Sequence, residues 1–296
     1  MRSRSPGLPL FALVGVTAIW GVTFVQVQDA LALYPLFAFL AVRFAISTLV
    51  LAPFAWRSLR SLPREGYAAG IGVGVLLAAA YGLQTAGLEL TTVASTGFIT
   101  GLYVVFTPLL ALALFGTRVP RALWIGVGLA VVGLLLLNGA PGGSALGNAL
   151  VLANAVFQAL QITSMERYAP RYDPRALTFL MMATSCVGFT LIAVLGELEA
   201  PRGATVWGAL LVTGVFAGAL GYLIATWVQG RTTAARAALV FTLEAPFAAL
   251  FGVLLADEVL GWAGWLGCGV MMAGILLAEP AAAATLRRLS RRGARA

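Results

Sequence analysis

Residues able to hold a polar solute are few in this chain, and they fall into stripes. Asn154, Gln158 and Gln161 stand at i, i+4 and i+7, which sets three amides on one face of a helix. Thr96, Thr100, Tyr103 and Thr107 make a second stripe, and Tyr222, Thr226 and Gln229 a third. Tyr81 beside Gln84 and Thr85 makes another, as do Thr17, Gly21, Phe24 and Gln28 with Trp20 adjoining. All are set in apolar runs, where a polar side chain must face protein or water instead of lipid. A lone Thr serves most simply as glue between helices, but three long amides along one stripe call for a wet or ligand-filled space.

Two ionisable residues, Arg43 and Glu244, lie deep in such runs. Each costs at least about 2.5 kcal/mol at the centre of a bilayer, so each needs a partner, a cavity or an interface. Arg43 sits roughly 12 Å from the end of its run, at 1.5 Å per residue, with Ser47 one turn below. It is placed to snorkel or to bond a neighbouring carbonyl. Glu244 precedes Pro246 by two residues, and that proline frees a carbonyl one turn back. The position suits substrate binding, proton coupling or gating, or else a buried structural hydrogen bond. Covalent and metal chemistry have little to work with: histidine is absent, which removes Ser/His and His–metal centres, and both cysteines, Cys186 and Cys268, are in apolar runs. We expect no metal, no cofactor and no enzyme.

The elements that must carry these stripes follow from composition. The chain has 296 residues, 60% hydrophobic and 10% charged, far from the composition of a soluble domain. Spans are expected near 8–28, 35–56, 67–88, 93–115, 122–138, 147–165, 176–196, 205–228, 237–256 and 262–279, joined by short turns rich in proline and glycine. The fold class is therefore all-α and polytopic, with ten transmembrane helices. The 19 basic residues are all arginine. They lie in clusters between runs, which fits membrane topology and not a nucleic-acid-binding face. Cytoplasmic loops retain arginine. One set of alternate segments holds 17 arginines and the other only Arg202, so both termini are expected in the cytoplasm. The first run, preceded by Arg2 and Arg4, has Ala30-Leu31-Ala32 at its end and resembles a signal peptide, but its length argues that it is retained.

An internal repeat needs that first run too. Trp124-x-Gly126-x-Gly128-x4-Gly133 recurs as Trp265-x-Gly267-x-Gly269-x4-Gly274, and Thr91-Thr92 recurs as Thr232-Thr233 at the same offset. Pro108 and Pro246 form a further pair. Five spans per half reverse the polarity of the second half, giving two inverted five-helix repeats, an architecture of alternating-access transporters. The expected division is a first repeat over 1–138, a second over 139–280 and a basic tail over 281–296. By the stripes, spans 1, 3, 4, 6, 8 and 9 surround a central cavity. Spans 5 and 10 are left as scaffold or dimer surface, so a homodimer is one expected assembly.

The stretch Ala94 to Leu109 (ASTGFITGLYVVFTPL), followed by Gly116-Thr117-Arg118, resembles the first EamA repeat of the drug/metabolite transporter superfamily. The stretch Leu243 to Gly252 (LEAPFAALFG), followed by Asp257-Glu258, resembles the second, and Trp20-Gly21 and Arg43-Phe44 fit the family's opening. The resemblance implies a ten-helix transporter, often an exporter of metabolites, amino acids or drugs. Two departures stand out: Thr117 replaces a usual glutamate after span 4, and Glu244 and Pro246, adjacent in the family, are separated by Ala245. The site expected from the stripes comprises Trp20, Gln84, Thr100, Tyr103, Asn154, Gln158, Gln161, Tyr222 and Glu244, with Arg43 and Glu244 as intramembrane charges. Amides and aromatics suit a neutral, zwitterionic or cationic organic solute, whereas phosphorylated solutes would want several cations. The expected partners are that solute and the lipid bilayer, with anionic headgroups at the tail, whose basic residues each gain roughly 1 kcal/mol near such a surface. A channel and a non-transporting membrane scaffold are the alternative classes.

Overall fold

A computed structural model describes residues 7–139, 142–196, 199–255 and 259–278, and every regular element among them is helical. The tail arginines and Asp257-Glu258 lie outside the described residues. In the first half the helices are α1 (Gly7–Leu31), α2 (Leu36–Arg60), α3 (Arg64–Leu88), α4 (Val93–Gly101), α5 (Tyr103–Phe115) and α6 (Arg121–Asn138). The second half has α7 (Ala145–Tyr168), α8 (Pro174–Leu195), α9 (Ala204–Leu211), a π-helix (Val212–Gly221), α10 (Tyr222–Gln229), α11 (Ala234–Phe241), α12 (Glu244–Leu255) and α13 (Trp262–Ala278). Among the described residues, eight stretches are long and apolar enough to cross a membrane by length and composition; Phe11–Thr23 and Trp262–Ala278 are shorter apolar helices.

Several helices outrun the apolar windows expected for them. The run expected to end at 56 continues as α2 to Arg60, and the run expected to end at 165 continues as α7 to Tyr168. The added turns carry Arg57, Arg60 and Arg167, which complement the negative C-terminal end of a helix. Arg60 lies over the Trp56 ring at 4.6 Å and Arg231 over Trp227 at 4.3 Å. Apolarity stops where arginine begins, but the backbone ladder does not. Starts are set locally: Thr92, Ser144 and Asp173 each accept a bond from a backbone N–H in the first turn they precede, as side-chain caps do.

Two runs expected to be continuous are interrupted. Leu102 separates α4 from α5, and Thr242-Leu243 separate α11 from α12. The breaks match across the halves: Tyr103 and Glu244, the first residues beyond them, are separated by the repeat offset. A third run holds the π-helix, and with it the Ala204–Gln229 stretch has 26 residues against 25 for Arg64–Leu88.

The recurrent glycine motif explains the pairing of α6 with α13, which pack chiefly on one another. A methyl group at Gly126 would lie 2.8 Å from the Gly274 carbonyl oxygen, and one at Gly267 would lie 2.6 Å from that of Gly133. The first and last glycines of each motif therefore bring the two backbones together, while the middle ones, Gly128 and Gly269, face open space. Small residues at such spacing are how membrane helices approach closely. The remaining elements enclose the interior: α2 packs on α8, α3 on α7 and α8, α1 on α12, and α5 on α7 and α11.

Candidate functional site

The interior is an aromatic wall around one guanidinium. Trp20 of α1 stands 5.2 Å from the Tyr222 ring and 5.4 Å from that of Phe241. Tyr222 shares a hydrogen bond of 3.2 Å between hydroxyls with Tyr81 of α3, and the two are 141 residues apart. Arg43, buried in α2, places its guanidinium carbon 5.6 Å from the Tyr81 ring and 5.8 Å from Phe44. Cation and ring face attract, most strongly where water is excluded. Arg43 is thus turned inward onto aromatic faces. Gly21 permits the wall to close at α1, since a methyl there would lie 2.8 Å from the Ala248 nitrogen.

Next to the wall is an amide cluster. Gln84 Nε2 donates to Thr100 Oγ1 at 3.2 Å, and Asn154 Nδ2 donates to the same oxygen at 2.9 Å. A hydroxyl that accepts twice has used its lone pairs, so the Thr100 proton is free to be donated onward. Three of the residues expected at the site, carried by α3, α4 and α7, therefore form one unit. Asn154 is buried, whereas Gln84 and Thr100 keep part of their surface open.

The two helix breaks supply the remaining groups. Tyr103 opens α5 and is buried; Glu244 opens α12 and is half-buried. A carboxylate in the first turn of a helix meets unpaired N–H groups and the positive end of the dipole. The carbonyl freed by Pro246 is that of Thr242, and it is not left unpaired as expected. Ala245 N–H donates to it at 3.2 Å, because the chain tightens by one residue at the break.

Not every stripe residue joins this space. Gln161 is buried with Nε2 directed at Met181 Sδ of α8, 3.5 Å away. Gln158 is half-buried and makes no side-chain hydrogen bond among the described residues. Thr96 and Thr107 donate to carbonyls of their own helices, Thr92 at 3.0 Å and Tyr103 at 2.7 Å, and Thr226 accepts from Thr178 at 2.9 Å. These hydroxyls are structural. The wall also includes Tyr81, Phe44 and Phe241, which lie outside the site as expected from the stripes. Apolar character hides Phe44 and Phe241, whereas Tyr81 stands in a polar stripe and its spacing from Tyr222 equals the repeat offset.

Comparison with known proteins points one way. The profile of the EamA-like transporter family matches residues 7–139 and again 145–278. A protein of Archaeoglobus fulgidus named an uncharacterized transporter is 31% identical over 271 residues, 92% of this chain and 84% of that protein. An Escherichia coli K12 protein named the uncharacterized inner membrane transporter YedA is 26% identical over 283 residues, 91% of this chain and 90% of its own length. A solved crystal structure superposes with a TM-score of 0.77 at 22% identity, covering 94% of this chain and 98% of that one, a likeness of fold.

Proposed function

Since the chain belongs to the EamA-like transporter family, and so is a multi-pass membrane transporter and not an enzyme, we propose that it carries small organic solutes across the inner membrane by alternating access. The ten helical runs act as two inverted five-helix halves with both termini in the cytoplasm, and the direction is export. Substrate binds among Trp20, Gln84, Thr100, Tyr103, Asn154, Gln158, Tyr222 and Glu244, with Arg43 and Tyr81 in the wall and Gln161 supporting α7 from behind.

One observation carries this reading: Tyr81 and its repeat counterpart Tyr222 touch each other at the site. A residue meets its own counterpart only on a two-fold axis relating the halves. The reciprocal contacts of Gly126 with Gly274 and Gly133 with Gly267 have the same form, each patch facing its equivalent as in an isologous interface. Unequal packing of equivalent segments also supports alternating access. Among the described residues α11 packs on α1, α5, α6 and α7, while its counterpart α4 packs on α3, α6 and α7, so the two equivalent segments are not packed alike.

The groups on the wall favour a solute with an aromatic or apolar body and a polar or charged end. One cation and one carboxylate across an aromatic space suit an amphoteric molecule better than a phosphate, which asks for several cations. The test is thermal stabilisation of purified protein by a panel of amino acids and organic amines, followed by counterflow of the stabilising compound in proteoliposomes. Saturable counterflow is expected, and Glu244→Gln should lower its rate and alter its pH profile. A Glu244→Gln protein with wild-type rate and pH profile refutes a role for that carboxylate. Flux that never saturates refutes the carrier in favour of a channel.

A further inference from the structure

The surplus residue of the second half can be located from contacts. Ser185 Oγ of α8 donates to the Gly74 carbonyl at 3.2 Å, and Ser47 Oγ of α2 donates to the Gly214 carbonyl at 2.7 Å. Further along the same two runs, Tyr81 and Tyr222 meet. Six residues separate Gly74 from Tyr81, but seven separate Gly214 from Tyr222. The addition therefore falls within 215–221, inside the π-helix Val212–Gly221, whereas α3 is α-helical throughout. An added residue is absorbed by π winding, whose i→i+5 pattern is rare and recurs at functional sites.

The widened turn is engaged from two sides. Ser47 takes the Gly214 carbonyl, and the Trp20 indole N–H donates to the Ala217 carbonyl at 3.0 Å. Glycines clear the approach. A methyl at Gly221 would lie 2.9 Å from the indole nitrogen, one at Gly214 would lie 3.1 Å from the Arg43 carbonyl, and Ser47 Oγ covers Gly218. Tyr222, whose ring packs on Trp20, is the next residue after the turn.

We propose that this π turn positions the aromatic wall of the site. By presenting the Ala217 carbonyl to Trp20 it fixes the indole against Tyr222 and Phe241, and Ser47, outside the wall, holds the π winding through Gly214. Ser47 is thus a positioning residue that acts through the turn. The inserted residue gives the two halves unlike walls although their fold is repeated. As a statement about substrate, the proposal rests on the reading that Trp20 and Tyr222 line the binding space.

The test is fluorine NMR of full-length protein carrying 5-fluorotryptophan. Of the seven tryptophan signals, the one lost in Trp20→Phe belongs to Trp20. Two variants probe the turn: deletion of Phe216, a lipid-facing residue of the π-helix, which should restore α winding, and Ser47→Ala, which removes the donor to Gly214. The Trp20 signal should move by more than its linewidth, or double, in both, while those of Trp124 and Trp265, assigned by their own Phe variants, stay in place. Should the deletion fail to fold, Ser47→Ala decides alone. An unmoved Trp20 signal in folded Ser47→Ala protein overturns the proposal, as does a shift spread equally over Trp124 and Trp265. The site reading is checked separately: if Trp20→Ala keeps the full stabilisation by amino acids or amines seen with wild type, that reading fails even where the Trp20 signal has moved.

Discussion

Alanine at Gly133 should destabilise the protein relative to alanine at Gly128, and the difference isolates one physical effect. Both residues lie in α6 and belong to the same motif. A methyl at Gly128 meets nothing within 4 Å, whereas one at Gly133 would lie 2.6 Å from the Gly267 carbonyl oxygen and against Met271. Replacing a helical glycine by alanine gains about 1 kcal/mol of propensity, and this gain is common to the two variants. What remains at Gly133 is overlap. Non-bonded heavy atoms want about 3.5 Å, so α6 and α13 must separate by roughly 0.5–1 Å, which forfeits a quarter to a half of the dispersion along their contact. Overpacking of this kind costs about 1–3 kcal/mol, and that is the expected stability gap between Gly133→Ala and Gly128→Ala. Unfolding of the purified variants by heat or by titration with a denaturing detergent measures it. A Gly133→Ala/Gly267→Ala double variant should cost less than the sum of its parts, because one separation accommodates both methyls and neighbouring sites are not additive. Equal stability of Gly133→Ala and Gly128→Ala would refute the assignment of these glycines to the α6–α13 interface.

Thr100→Val keeps the shape of the side chain but leaves the amide donors of Gln84 and Asn154 without their shared acceptor. A loss of about 1–3 kcal/mol is expected, and added Asn154→Leu should recover part of it in a double-mutant cycle; strict additivity would contradict the cluster. At the connection between α1 and α2, the Tyr34 hydroxyl donates to the Glu199 carbonyl at 2.6 Å, so Tyr34→Phe should cost about 0.5–1.5 kcal/mol at neutral pH. Burial, and secondarily the charge of Glu199, raise the Tyr34 phenol above its ordinary value. The folded state therefore favours the neutral phenol: its contribution is complete below the unfolded pKa of about 10 and is lost as pH rises through the folded value. Thermal unfolding of wild type should weaken above that pH more steeply than that of Tyr34→Phe, and parallel pH profiles would contradict it.

Much of this fold could be read from residue types, and what could not be read has identifiable causes. The motif Trp-x-Gly-x-Gly-x4-Gly gave away both α6 and α13, because backbone contact leaves glycine no substitute at Gly126, Gly133, Gly267 and Gly274. The stripe Asn154–Gln158–Gln161 lies along α7, but its members meet different neighbours. Gln161 lies roughly 10 Å further along the axis, at 1.5 Å per residue, and there the neighbour of α7 is Met181 and not Thr100. Face is a sequence property; depth against a neighbouring helix is not. The breaks at Leu102 and at Thr242-Leu243 escaped because their prolines are elsewhere. Pro108 sits inside α5 and Pro246 inside α12, beyond the interruptions themselves, and Pro246 acts on the break only through the Thr242 carbonyl one turn back. The π-helix was hidden by uniformity, since VTGVFAGALG is as apolar as any membrane α-helix and one added residue shows only through its contacts. The same contacts separate what repetition would make equal. Both halves break at one place and begin again, yet the first restarts with Tyr103 and the second with Glu244. On the proposed reading the site thereby takes a carboxylate from one half only, an asymmetry suited to telling the two ends of a solute apart.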